Sequence, residues 1–176
     1  KALGEEARYR KKDILLGPGV NIYRTPLNGR NFEYMGEDPF LSSKMVVPYI
    51  KGVQSNGVAT SVKHYALNNQ EQFRHTSNVI VDDRALYEIY LPAFKAAVQE
   101  GDSWTIMGAY DMYKNQFASQ NQYLLNEILK KEWGFKGVVI SDWGAVNDTK
   151  QAIMNGLDME FGSWTNGLSE GTSNAY

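Results

Sequence analysis

The chain has 176 residues, 43% of them hydrophobic and 22% charged, with a formal net charge of −2. This composition is that of an ordinary globular domain, and the near-neutral charge does not favour nucleic acid as a partner. The sequence has no cysteine, which excludes disulfides, thiol catalysis and thiolate metal ligands, and it has no apolar run long enough to cross a membrane.

Short apolar runs alternate with longer amphipathic stretches along the whole chain. Residues 1–12 are typical of the last turns of a helix, and each later apolar run has the length of a strand. The five predicted strands are Asp13–Leu16, Gly57–Val62, Trp104–Ala109, Gly137–Ile140 and Leu157–Phe161. The predicted helices between them are Pro39–Val53, Asp83–Glu100, Asn121–Trp133 and Ala145–Asn155.

Proline, aspartate and glycine mark the ends of these predicted helices. Pro39 suits a first helical turn, and Asp82 is a good N-cap for the helix that follows it. Pro92 lies inside that helix and is expected to kink it, while Gly134 suits a helix C-terminus.

No tight hairpin signal separates the strands, so the pattern predicts parallel strands with crossover helices. Such an α/β pattern fits a (β/α) barrel or an open doubly wound sheet. A closed barrel needs eight strands and about 250 residues, so this chain would hold part of a TIM-like (β/α)8 barrel. The chain starts at Lys1 and ends in the polar stretch Ser169–Tyr176, and we expect it to be a fragment of a larger protein.

The stretch GVVISDWGAV, residues 137–146, places a carboxylate directly after a buried strand. Because an unpaired buried carboxylate costs several kcal/mol, Asp142 should face a cavity or a partner. Polar residues also follow the other strands, and the carboxyl ends of parallel barrel strands share one face. These residues are Arg24, Arg30, Glu33, Lys63, His64, Tyr110 and Glu160.

Cations around a single carboxylate favour its ionised form, which suits a nucleophile in glycosyl transfer. Each residue also has a structural interpretation. Asp142 could cap the helix that starts near Ala145. Lys63 could form a structural ion pair, and His64 could be a hydrogen-bonded core histidine. Arg30 could pair with Glu33 within a loop. The convergence of several polar residues at one end of their strands favours the catalytic interpretation.

Other chemistries have little support in the sequence. The two histidines lack an HExxH spacing, so no metal site is expected. The sequence contains neither a GxGxxG nor a GxxxxGK[ST] loop, and Ser141 lacks a GxSxG elbow, which disfavours nucleotide binding and serine hydrolysis.

Five stretches together resemble glycoside hydrolase family 3, the β-glucosidase group, and they occur in that family's order. They are GPGVNIYRTPLNGRNFEYMGEDPFL, SVKHYALNNQE, ALYEIYLPAFKAAV, MGAY and GVVISDWGAV. The resemblance covers nearly the whole chain. It implies that residues 1–176 are part of the N-terminal (β/α)8-like catalytic domain, without the first strands and without a later α/β sandwich domain.

The resemblance also implies an activity and its residues. Asp142 would be the nucleophile of a retaining exo-acting β-glycosidase, most simply a β-glucosidase, which needs no metal or other cofactor. Residues that would bind the sugar are Arg30, Lys63, His64, Met107, Tyr110 and Trp143. The expected binding partner is a small β-glucoside or oligosaccharide. Whether the complete enzyme forms a homodimer is left open by the resemblance.

The resemblance leaves gaps and alternatives. The acid/base glutamate of β-glucosidase-like members would lie beyond Tyr176, so the chain alone should have little or no turnover. The family's AYNxxNG is AYDMYKN here, at residues 109–115, and the KHFPGHG loop of the N-acetylglucosaminidase branch is missing. A β-xylosidase or related exo-glycosidase, or an inactive carbohydrate-binding fragment, are the alternatives.

Overall fold

The structure is a computed structural model that describes residues 1–162. The predicted stretch Ser169–Tyr176 therefore lies outside the described residues. The strands of the described part are β1 Ile14–Leu15, β2 Ala59–Tyr65, β3 Asn78–Val79, β4 Thr105–Gly108, β5 Met112–Tyr113, β6 Gln116–Phe117 and β7 Val138–Ile140.

The main sheet is four-stranded and parallel throughout, with the strand order β1-β2-β4-β7. Val62, Ile106 and Val139 lie in register across its three longer strands and are buried in the hydrophobic core. Because strand side chains alternate between faces, the residues next to these three in each strand, such as Lys63 of β2 and Met107 of β4, lie on the opposite face of the sheet. The prediction of an α/β fold with parallel strands and part of a barrel is confirmed.

Five α-helices lie in the described part, and two π-helices accompany them. The α-helices are α1 Ala2–Tyr9, α2 Pro39–Gln54, α3 Asp83–Ala85, α4 Pro92–Gln99 and α5 Thr149–Met154, and the π-helices are Leu86–Tyr90 and Tyr123–Glu132. Helix α2 begins at Pro39 because the carboxylate of Asp38 accepts hydrogen bonds from the first free backbone N–H groups. No helix of residues 1–162 has the length and apolar character needed to span a lipid bilayer.

The predicted helix 83–100 is broken rather than continuous. Asp82 caps it as predicted, by accepting a hydrogen bond from the Ala85 backbone N–H. The π-turn ends at Leu91, and Pro92 starts α4 because proline cannot donate a bond to the preceding turn. The interruption at Pro92 confirms the expected kink.

Three predicted boundaries are wrong. Strand β2 runs on to Tyr65, so Lys63 and His64 belong to the strand itself. The last helix starts at Thr149 and is capped by Asp148, so Asp142 is not its cap. The fifth predicted strand is reduced to a single parallel bridge between Ile140 and Met159, where Met159 donates to the Val139 carbonyl and accepts from the Ser141 N–H.

A small second sheet was not predicted. It has the order β3-β5-β6, and β5 and β6 form an antiparallel hairpin. Lys114 and Asn115 at its tip have φ angles of 51° and 61°, as in a type I′ turn. The sequence missed this hairpin because Lys-Asn replaces the usual Asn-Gly signal.

Candidate active site

Asp142 lies directly after β7, at the carboxyl end of the parallel sheet, and is 8% exposed. Its Oδ1 accepts a hydrogen bond of 2.7 Å from the backbone N–H of Trp143. Its Oδ2 lies 3.4 Å from Nε2 of His64. The carboxylate therefore accepts one backbone hydrogen bond, lies beside an imidazole and keeps a small exposed surface.

His64 is a buried side chain of β2 with a partner on each ring nitrogen. The Tyr34 hydroxyl lies 3.1 Å from Nδ1, and Asp142 faces Nε2. Burial lowers the pKa of His64 well below its usual value, and the positive charges of Arg30 and Lys63 lower it further. The ring is therefore neutral. With the Tyr34 hydroxyl donating to Nδ1, the ring proton lies on Nε2, which faces the Asp142 carboxylate.

The backbone of His64 is fixed by a residue from the loop after β1. The Asn21 side chain accepts a 2.7 Å hydrogen bond from the His64 N–H and donates one of 3.0 Å to the His64 carbonyl. This pair of bonds holds the end of β2 in the orientation that brings the imidazole to Asp142.

Two carboxylates and three cations alternate beside the histidine. Glu33 lies 3.0 Å from Nζ of Lys63 and also accepts a hydrogen bond from Nε of Arg30. Glu71 pairs with Nη1 of Arg74 at 2.5 Å and lies 3.7 Å from Arg30. Burial alone would raise the pKa of Glu33, but its bonds to Arg30 and Lys63 outweigh burial and lower the pKa.

The interpretation that Arg30 pairs with Glu33 is confirmed, and Lys63 joins the same carboxylate. Within the described chain, neither cation forms an ion pair with Asp142. Both cations lower the pKa of His64, however, so their positive charge acts on the imidazole that lies beside Asp142.

Tyr110 follows β4 and lies against the turn that carries Asp142. Its hydroxyl donates a 2.7 Å hydrogen bond to the Trp143 carbonyl. The guanidinium carbon of Arg74 lies 4.1 Å from the centre of its ring, a cation–π geometry. Burial raises the pKa of Tyr110, and the negative charge of Asp142 raises it further, so the phenol stays protonated.

Trp143 stacks on Phe161, with ring centres 5.0 Å apart and an interplanar angle of 11°. The Phe161 carbonyl accepts a hydrogen bond from Gly144, and its N–H donates to the Ser141 hydroxyl, so residues 141–144 are held on both sides. Met107 is buried in β4 on the face opposite to Ile106. The structure therefore gathers Arg30, Lys63, His64, Tyr110 and Trp143 near the carboxyl ends of the strands, and Met107 lies within β4, in register with Ile140 of β7.

Arg24 does not join this group. It is exposed and lines a separate cavity behind the loop after β2. Glu160 directly follows the single bridge at Met159.

The sequence analysis missed Tyr34, Glu71 and Arg74. All three lie in loops that the apolar pattern leaves without a regular element, and the loop 68–78 appeared only as a polar connection. The one available signal was their position within or just after the family-like stretches at 17–41 and 61–71. Within residues 1–162, no group of three His, Asp or Glu side chains could hold a metal ion.

The fold is that of part of a (β/α) barrel, with polar side chains gathered at the carboxyl ends of its parallel strands. Residues 1–161 match the Glycosyl hydrolase family 3 N terminal domain. The chain belongs to this family.

Individual relatives are close to this chain but much longer. It is 65% identical over 175 residues to the β-glucosidase BoGH3A of Bacteroides ovatus, covering 99% of this chain and 23% of that protein. It is 46% identical over 160 residues to an exo-α-(1→6)-L-arabinopyranosidase of Bifidobacterium breve, covering 91% of this chain and 21% of that protein.

Solved structures show the same fold. β-Glucosidase 3B of Thermotoga neapolitana in complex with glucose superposes with a TM-score of 0.89 at 47% identity, over 91% of this chain and 22% of that chain. The chain thus spans less than a quarter of the length of these relatives.

Proposed function

We propose that this chain is the nucleophile-bearing part of a retaining, exo-acting β-glycoside hydrolase of the β-glucosidase type. The observation that carries the proposal is the placement of Asp142. A carboxylate with a small exposed surface, 3.4 Å from His64 and hydrogen-bonded to a backbone N–H, lies at the carboxyl end of a parallel strand beside a cationic cluster. Membership of the family supports it.

The proposed reaction is a double displacement. One oxygen of Asp142 attacks the anomeric carbon, and the bond from that carbon to the leaving oxygen breaks as that oxygen gains a proton. Water then attacks the same carbon, and the carboxylate leaves with its electron pair. Because His64 is neutral and its Nε2 faces the carboxylate, it stabilises the carboxylate without removing its charge.

The cations are arranged to bind hydroxyl groups. Lys63 and Arg30 each give only part of their donors to Glu33, and ammonium and guanidinium groups have three and five donors, respectively. Held by this carboxylate, they need little reorganisation when charge develops on the sugar. We assign hydroxyl binding to Arg30, Lys63 and His64, and the walls of the sugar site to Met107, Tyr110 and Trp143.

The acid/base carboxyl is not assigned to any described residue. In a retaining mechanism it lies about 5–5.5 Å from the nucleophile, and we propose that it is supplied from outside residues 1–176 by a later α/β sandwich domain. In the complete enzyme, this chain would then supply the nucleophile and the sugar-binding residues, and the later domain would supply the acid/base carboxyl.

A glucoside is the proposed substrate, since relatives are β-glucosidases and several were solved with glucose. A xyloside is the alternative sugar, and the arabinopyranosidase relative adds a second pentose to test. Comparing kcat/KM on aryl β-glucoside, β-xyloside and α-L-arabinopyranoside with the complete enzyme decides among them. A preference for either pentoside would overturn the glucosidase assignment.

A mechanism-based label tests the nucleophile. We expect a 2-fluoro-glucoside with a good leaving group to inactivate the complete enzyme and to add one sugar mass to the peptide that contains Asp142. Clean labelling of a different carboxylate would refute the role of Asp142. An absence of both turnover and labelling in a folded protein would instead support an inactive carbohydrate-binding fragment.

Lys63→Ala tests whether the Lys63–Glu33 pair serves the substrate or only the fold. We expect kcat/KM to fall by roughly 100-fold, the scale of a lost charge-assisted hydrogen bond of about 3 kcal/mol. The measurement is kcat/KM on aryl β-glucoside together with the urea midpoint.

Glu33→Gln is the matched variant for Lys63→Ala, since it removes the other half of the same 3.0 Å pair. It should lower activity less, because both cations stay in place. If Lys63→Ala kept full activity while the urea midpoint dropped sharply, Lys63 would be structural only.

A further inference from the structure

A cavity of about 470 Å³ lies on the far side of the loop that borders the Asp142 site. Its lining comes from the loops after β1, β2 and β4, from β3 and from the π-helix of residues 86–90. The residues that matter here are Arg24, Leu67, Asn69, Ser77, Tyr90 and Asp111.

Asp111 is the unusual member of this lining. It is 2% exposed, and its Oδ1 has no hydrogen-bond partner. An unpartnered buried acceptor carries a desolvation cost that a bound donor would remove.

The chemistry of the cavity suits a polyhydroxylated ring. The titratable side chains of its lining are Arg24 and Asp111, so an uncharged ligand with vicinal hydroxyls can accept hydrogen bonds from the guanidinium and donate them to the carboxyl oxygen. Side-chain amides and hydroxyls, including Asn69 and Ser77, supply further partners, and the Tyr90 ring supplies an apolar surface. With a single carboxyl, the lining has too few acidic ligands for a divalent cation.

The cavity and the Asp142 site share two backbone segments. Tyr110 contacts the Asp142 turn through the Trp143 carbonyl, while the next residue, Asp111, lines the cavity. In the loop after β2, Asn68 donates to Glu71 within the charge cluster, while its neighbour Asn69 lines the cavity. A ligand in the cavity would therefore order the same segments that border the proposed nucleophile.

We propose that this cavity is a second carbohydrate-binding pocket, placed back to back with the Asp142 site and specific for a single hexose unit held by Asp111. The choice of a sugar rests on the proposed function. The location of the pocket rests on the cavity and on the unpartnered carboxyl.

The test uses D-glucose and the complete enzyme, with hydrogen–deuterium exchange as the readout. We expect glucose to protect two separate regions, residues 77–81 beside the cavity and residues 141–144 at the Asp142 turn. In Asp111→Leu, half-maximal protection of residues 77–81 should need at least tenfold more glucose than in the unmodified enzyme. Half-maximal protection of residues 141–144 should need the same glucose concentration as before.

Ser77→Phe provides a second variant that fills the cavity and leaves Asp111 intact, so the test does not depend on one substitution. It should abolish the protection of residues 77–81 as well. The inference is overturned if glucose does not change exchange at residues 77–81 in the unmodified enzyme, or if both variants keep that protection. These outcomes are independent of 2-fluoro-glucoside labelling, so failure of the pocket and failure of the proposed function are distinguishable.

Discussion

Asp142→Ala is expected to reduce the turnover of the complete enzyme by at least ~10⁴-fold, because no other described carboxylate can replace it as the nucleophile. The fold should survive, since the substitution removes a side chain that accepts a hydrogen bond from one backbone N–H and lies beside His64. The measurement is kcat on an aryl β-glucoside, with circular dichroism as the check on folding.

Azide distinguishes a lost nucleophile from a damaged site. With alanine at position 142, a small anion has room to attack the anomeric carbon, and we expect azide to restore part of the activity and to give the α-glycosyl azide. His64→Ala is the matched control, since it perturbs the same contact and keeps the carboxylate. If azide rescued His64→Ala, or if Asp142→Ala kept its turnover, the double-displacement assignment would fail.

Asp111→Asn is expected to stabilise the protein above neutral pH. Burial raises the pKa of Asp111 from 3.8 to about 7, and the negative charge of Glu71 adds to this shift. The folded state therefore binds more protons than the unfolded state between these two values. Stability is fully present below about pH 4, is lost as the pH rises through 7, and levels off above that.

The shift corresponds to at most about 4 kcal/mol, at 1.36 kcal/mol for each unit of pKa. Urea unfolding at pH 5 and pH 8 measures it, and the gain of Asp111→Asn over the unmodified protein should be larger at pH 8. Asp83→Asn removes the same charge from an exposed position and should change stability by only a few tenths of a kcal/mol. An equal gain at both pH values would contradict the raised pKa.

The sequence was a good guide to the parallel sheet because apolar runs, proline and caps act locally. The strands around Val62, Ile106 and Val139, and the caps at Asp38 and Asp82, follow from side chains within a few residues of each element. The prediction of the last strand, Leu157–Phe161, was wrong because a short apolar run does not indicate whether a neighbouring strand will pair along its whole length.

The candidate site was predictable only in part. Residues that follow strands, such as Asp142 and Tyr110, were found because parallel strands end on one face. Tyr34, Glu71 and Arg74 were not, since they reach the site through loop conformations that no periodic pattern encodes. Nor could spacing alone reveal that Lys63 and Arg30 share Glu33.

The two hydrogen bonds between Asn21 and the backbone of His64 join residues that are 43 positions apart. An uncharged amide thus fixes the backbone of the proposed site. In a random mutant library of the complete enzyme, we expect inactivating substitutions at Asn21 about as often as at the charged residues of the Asp142 site. Those variants would lose activity because the His64 imidazole is moved away from Asp142.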